Sequence, residues 1–192
     1  NSTVEIRSAS SSVLTVNSLI INACSTLKIG SGNQMTVVAS LTNNGSLNLL
    51  SDNTKGTASL LTPETITGIG TYNVQQYLTS GLNCLISSPV TSAQASTFTT
   101  ATNTTTYNEP TSKWVNVTGK LTPLRGYLSN MTITNGNVIF NGLINNGNLS
   151  VPLTRTAGQL NAGFNMLGNP YPSYLNLNNL TNSDIETTIW YK

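Results

Sequence analysis

Between Val4 and Leu50 the apolar residues come as pairs with one residue between them: Val4/Ile6, Leu14/Val16, Leu19/Ile21, Leu27/Ile29, Met35/Val37 and Leu47/Leu49. Such alternation marks strands with one buried face, because successive side chains of a strand point to opposite sides. From Leu19 to Met35 the pairs recur every eight residues. That interval is too short for a helical repeat and predicts successive strand rungs, each burying two residues and then turning. The separators Asn22-Ala-Cys-Ser25, Gly30-Ser-Gly-Asn33 and Asn43-Asn-Gly45 are turn chemistry. The expected element is a short parallel β-solenoid (β-helix) stalk over residues 1–61, stacked because one rung cannot bury its face alone. A meander of short hairpins is the other arrangement the pattern allows.

The texture changes after Ser51-Asp-Asn-Thr-Lys-Gly56, and a boundary is placed near residue 62. Beyond it the pattern predicts a β-sandwich-like module over residues 62–192. Short strands are expected at 58–61, Tyr72–Leu78, Leu82–Val90, Lys113–Val117, Arg125–Leu128, Thr132–Phe140 and Leu149–Leu153. Thr91 to Thr106, nearly devoid of core residues apart from Phe98, reads as a surface loop. Phe164 to Leu167 reads as a buried strand that leaves its sheet through the stiff turn Gly168-Asn-Pro-Tyr-Pro-Ser173. The chain stops at Thr187-Thr-Ile-Trp-Tyr-Lys192, within an expected strand, so the module is expected to be cut short there. Leu41-Thr-Asn-Asn-Gly-Ser-Leu47 returns as Leu143-Ile-Asn-Asn-Gly-Asn-Leu149, either hairpin turns or solenoid corners.

Composition sharpens this all-β picture. Asn, Thr and Ser make up about two fifths of the chain, a mixture of turn formers and β-branched residues, while only 7% of residues are charged. A net charge of +2 leaves no basic patch, which argues against nucleic acid as a partner. No apolar run reaches the roughly 18 residues of a membrane-spanning helix, and no membrane insertion is expected. Cys24 and Cys84 are read either as a disulfide or as two buried free thiols.

Several ordered elements carry a resemblance: Leu41–Leu49, Gly56-Thr-Ala-Ser-Leu60, Tyr72–Leu78, Ser87-Ser-Pro-Val90, Trp114, Arg125-Gly-Tyr127 and Gly163–Pro172 with its Asn-Pro-Tyr-Pro run. Together the chain resembles the β-rich region preceding the C-terminal sorting domain in cell-surface, adhesin-like proteins of Bacteroidetes exported by the type IX secretion system. The resemblance implies a secreted, cell-surface location and the type IX machinery as a partner during export. It departs at Cys84, where an aromatic residue is usual, and no sorting domain follows Lys192.

Chemistry is sparse. Without histidine, Ser-His-Asp and Cys-His arrangements are excluded, and the carboxylates are scattered, Asp184 and Glu186 being near neighbours in a stretch that reads as a solvated turn. No catalytic residue, cofactor or metal site is expected. Three readings remain: a non-catalytic structural or adhesive section of a surface protein; a carbohydrate-binding module with Tyr107, Trp114 and Tyr171 as the first glycan contacts; and a strand-exchanging fibre subunit completed by a neighbouring chain near Trp190.

Overall fold

The computed structural model describes residues 2–7, 13–98, 101–131 and 136–177. They are almost entirely β, with two short 3-10 turns and no α-helix among the described residues. Four strands lie side by side in parallel: β1 (Ser2–Ile6), β3 (Ser25–Ile29), β5 (Ser46–Leu49) and β10 (Thr71–Leu78). A fifth, β15 (Gly136–Asn141), joins β10 in antiparallel. A second parallel sheet is made by β2 (Val13–Ile21), β4 (Gln34–Asn43), β8 (Ser59–Leu61) and β9 (Ile66–Thr67), the last two both pairing with β4. The boundary expected near residue 62 thus falls between two strands that share one partner.

Register explains the apolar pairs. Val4 lies beside Leu27, Leu27 beside Leu47 and Leu47 beside Tyr72, separations of 23, 20 and 25 residues. In the second sheet Leu14 lies beside Met35 and Met35 beside Leu60, separations of 21 and 25. The eight-residue spacing is therefore not the repeat of the stack. It is the distance between a strand of one sheet and a strand of the other, and the chain returns to the same sheet only every 20 to 25 residues. Leu14/Val16 and Leu19/Ile21 share the single long strand β2, with an irregularity between Val16 and Ser18.

Corners join the sheets. Asn43-Asn44-Gly45 passes the chain from β4 to β5, which belong to different sheets, so it is a corner and not a hairpin. The buried Asn43 amide donates to Thr71 O at 3.0 Å and accepts from Gly45 N–H at 3.1 Å. A Cβ on Gly45 would stand 2.3 Å from Ser25 O, so only glycine lets the two corners approach. The second copy, Asn145-Asn146-Gly147, is no hairpin either: it follows β15 in irregular chain, with Asn145 buried.

A two-residue ladder, β6 (Ser51–Asp52) with β7 (Gly56–Thr57), decorates one turn. The remaining strands form an antiparallel sheet in the order β11 (Asn83–Ile86), β14 (Tyr127–Met131), β12 (Ala101–Asn108), β13 (Lys113–Asn116). The strand β12 occupies part of the stretch expected to be loop. Thr-rich β-branched sequence paired on both edges forms strand without an apolar stripe. Residues 149–153 carry no strand, and Phe164–Leu167 is neither buried nor a strand apart from a single bridge between Leu167 and Arg125. The last expected strand, 187–192, lies outside the described residues. One apolar cluster runs from Ile21, Ile29 and Leu49 in the parallel sheets through Phe140 to Val90, Phe98, Leu121 and Tyr127. No helix among the described residues is long and apolar enough to cross a membrane.

Candidate functional site

The aromatic residues meet on the β12–β13 hairpin. Tyr107 and Trp114 face each other across its strands. Their rings stand edge to face at 5.7 Å, and Phe164 also packs edge to face on Tyr107 at 5.4 Å. Tyr107 is 7% exposed and its hydroxyl is buried without a hydrogen-bond partner, whereas Trp114 is 50% exposed. Of the three expected glycan contacts, the structure brings Tyr107 and Trp114 together and places Tyr171 apart, its hydroxyl donating to Gly147 O at 2.7 Å. Phe164, half exposed beside them, had no pattern of its own in the sequence that tied it to the pair.

Two residues along the chain from Tyr107 sits a carboxylate that sequence reasoning passed over. Asn108 caps the turn Glu109–Thr111 by accepting from Thr111 N–H at 3.1 Å, and the turn ends on Ser112 in left-handed conformation, φ 51°. This geometry points Glu109 inward, where it is 2% exposed. Its carboxylate accepts from Thr156 N–H at 2.7 Å, Gly163 N–H at 2.8 Å and Thr156 Oγ1 at 3.0 Å. The backbone N–H groups of Thr156 and Gly163 outweigh burial and hold its pKa down, to about 2. With every bond directed at its own chain, Glu109 is a peg for the 154–165 loop, not an acid or base with a free lone pair facing solvent. Asn165 fastens the same loop, its amide pairing with both Thr154 N–H and Thr154 O.

The Asn-Pro-Tyr-Pro run forms a strap between the two parts of the molecule. Gly126 N–H donates to Met166 O at 3.0 Å and Gly168 N–H to Leu124 O at 2.9 Å, tying the strap to the antiparallel part. The buried Asn145 amide donates to Pro170 O at 2.8 Å and to Ser88 O at 3.0 Å. Two residues on, Pro172 O accepts from Leu60 N–H at 2.7 Å, covering the free edge of β8. Pro170 and Pro172 are buried, so the rigid run fixes these carbonyls where they meet their donors.

The outward face of the first sheet carries a row of polar residues. Glu5, Lys28, Asn48, Asn73 and Asn141 stand side by side by register, and Asn73 donates to Asn48 at 2.6 Å. On the second sheet hydroxyls stack in the same way, Ser40 on Ser18 at 2.9 Å and Thr42 with Thr67 at 2.9 Å. Asp52 accepts from Lys55 N–H and Thr54 N–H in its turn, which lowers its pKa to about 2. Asp184, Glu186 and Trp190 lie outside the described residues. Both cysteines are free thiols and neither is buried, which corrects both alternatives: Cys24 is exposed in a left-handed turn position, and Cys84 is half-buried with its Sγ 3.7 Å from Thr79 O.

A family model described as Domain of unknown function (DUF8693) matches residues 1–191, essentially the whole chain. Comparison with curated proteins and with solved structures gave no match.

Proposed function

The chain belongs to this family of unknown function, and we propose that it is a non-catalytic structural section of a secreted bacterial cell-surface protein, built as a short parallel β-solenoid stalk that carries a β-sandwich-like module. The observation that carries the reading is the return of the chain to each parallel sheet every 20 to 25 residues, with apolar residue on apolar residue. A stack of that kind transmits load through ladders of backbone hydrogen bonds. Its surface of stacked Asn, Ser and Thr is insensitive to salt, because it carries few ion pairs to screen. The ordered motifs from Leu41 to Pro172 support export by the type IX system and its machinery as the partner in that step. The test is surface labelling of intact source cells with an antibody to the chain. Labelling before lysis supports the reading, and signal only after lysis sinks it.

The second reading, a carbohydrate-binding module of a polysaccharide-degrading enzyme, is favoured by the half-exposed rings of Trp114 and Phe164, each packed edge to face on the buried Tyr107. A glycan array with the wild type, Trp114→Ala and Tyr171→Ala separates the two. Binding that a still-folded variant loses makes this a recognition module; no binding by the folded wild type leaves the structural role.

A further inference from the structure

We infer that a small open cavity on the outward face of the second parallel sheet is a binding site for one uncharged sugar unit, built from residues other than Trp114 and Phe164. The inference goes beyond the structural role proposed above and can fail while that role stands.

Register lays the floor of this cavity. Strands β4 and β8 pair Gln34 with Ser59 and Thr36 with Leu61, while Met35 and Leu60 between them are buried in the core. Alternation therefore sends Gln34, Thr36, Ser59 and Leu61 outward as a two-by-two patch. The strap supplies the wall. Pro172 O accepts from Leu60 N–H at 2.7 Å, and Ser173 and Tyr174, which follow directly, line the same cavity. The strap is held in place there, the Asn169 amide donating to Ser173 O at 2.6 Å and the Tyr171 hydroxyl to Gly147 O at 2.7 Å. Between floor and wall lies a cavity of about 130 Å³, open to the surface. One water takes roughly 10–15 Å³ of such space, so there is room for roughly ten water-sized groups, the bulk of a single sugar ring.

The lining selects the ligand. The Gln34 amide and the hydroxyls of Thr36, Ser59 and Ser173 face the cavity, and none of these four side chains makes a hydrogen bond among the described residues. Ser59 is the telling one. It is 8% exposed, and a hydroxyl at that depth ordinarily spends its bonds on its own chain, as buried Ser88 does on Val90 O at 2.7 Å. The cavity contains no acid or base, so a charged ligand would lose water there without gaining a counter-charge. A wholly apolar ligand would leave the four polar groups unpaired. Tyr174, 73% exposed, and Leu61 add apolar surface to the same walls. A sugar ring satisfies both halves: its hydroxyls exchange hydrogen bonds with the amide and the hydroxyls, and its C–H face lies on Tyr174.

The test is an NMR titration of the whole chain with the methyl glycosides of glucose, galactose, mannose and N-acetylglucosamine, and with glucuronate as the charged counterpart. The expected result is that at least one neutral glycoside shifts the resonances of Gln34, Thr36, Ser59, Leu61 and Tyr174 and saturates in the millimolar range, while glucuronate does not. Tyr174→Ala should weaken that binding about tenfold, the loss of one stacked ring, and Gln34→Ala by a similar factor, both with the circular dichroism spectrum unchanged. Leu82→Ala, at an exposed position outside the cavity, should bind as the wild type does. The wild-type shift map decides the matter even where a variant fails to fold. No shift with any neutral glycoside overturns the inference, as does binding indifferent to Tyr174→Ala and Gln34→Ala in folded protein, or tighter binding of glucuronate. Shifts confined to Trp114 and Phe164 overturn it in favour of the aromatic pair. Overhauser contacts from another segment of the chain to Gln34 and Ser59 in the sugar-free protein overturn it too, because the cavity is then already filled.

Discussion

The parallel sheets and the antiparallel part with its strap solve the same problem, burying a β face, by opposite means. In the parallel sheets every layer repeats the one before: Ile6, Ile29, Leu49 and Val74 continue one row, and the corner at 43–45 is closed by the buried Asn43 and by Gly45. Stability there is spread over equivalent positions. In the antiparallel part individual side chains hold long irregular segments. Glu109 holds the 154–165 loop through the N–H groups of Thr156 and Gly163, and Asn145 fastens the strap to Ser88. The teaching of the contrast is where a single change does damage: by lost volume in the first region, by lost backbone partners in the second.

The sharpest way to break the comparison is Leu49→Ala. Leu49 is fully buried between rows, and its truncation should cost about 2–5 kcal/mol, read as a shift in the denaturant midpoint. A cost under about 1 kcal/mol would mean the rows do not pack as a shared core. Next is Asn145→Ala, which leaves the carbonyls of Ser88 and Pro170 without their donor. It should cost about 1–3 kcal/mol and speed hydrogen exchange at the Leu60 amide, the far anchor of the strap. Unchanged exchange at Leu60 would show that the strap is held without Asn145.

Acid separates the regions through their carboxylates. Glu109 titrates at about 2 in the fold against an ordinary value of 4.5, so the unfolded chain binds the proton more tightly. Its stabilisation is complete above about pH 4.5 and is lost as the pH falls toward 2. Glu109→Gln should flatten that acid limb and expose the 154–165 loop to proteolysis at neutral pH. Asp52, lowered to about 2 from 3.8 but only partly covered in its surface turn, should give a weaker effect as Asp52→Asn. Equal acid limbs in both variants would contradict the assignment of Glu109 as the peg. The smallest effect belongs to Trp114→Ala, which loses one edge contact from a half-exposed ring, about 0.5–1.5 kcal/mol in a thermal melt.

What the sequence made legible was local. The apolar pairs from Val4 to Leu49 lie in strands, the separators at 22–25, 30–33 and 43–45 are turns or corners, and the chain is all-β. The repeat of the parallel sheets was hidden because strands of two sheets interleave along the chain, so the shortest period is not the structural one. The packing of Phe164 to Leu167 was misjudged for a related reason: the segment is apolar, yet its place is set by backbone bonds from Gly126 and to Leu124, which no pattern within the segment encodes. Glu109 was passed over because its partners lie 47 and 54 residues away and are backbone groups, which carry no residue signature. Its only cue was the Asn108-Glu109-Pro110 turn that aims it inward.

The central claim, that the described residues between 2 and 78 form a stack added layer by layer, is tested most directly by pulling the ends of the chain apart in a single-molecule force experiment. Neighbour-only contacts predict stepwise release, each step freeing one return of 20 to 25 residues, or about 65–90 Å of extended chain. One rupture that frees the whole segment without steps of that size would contradict it.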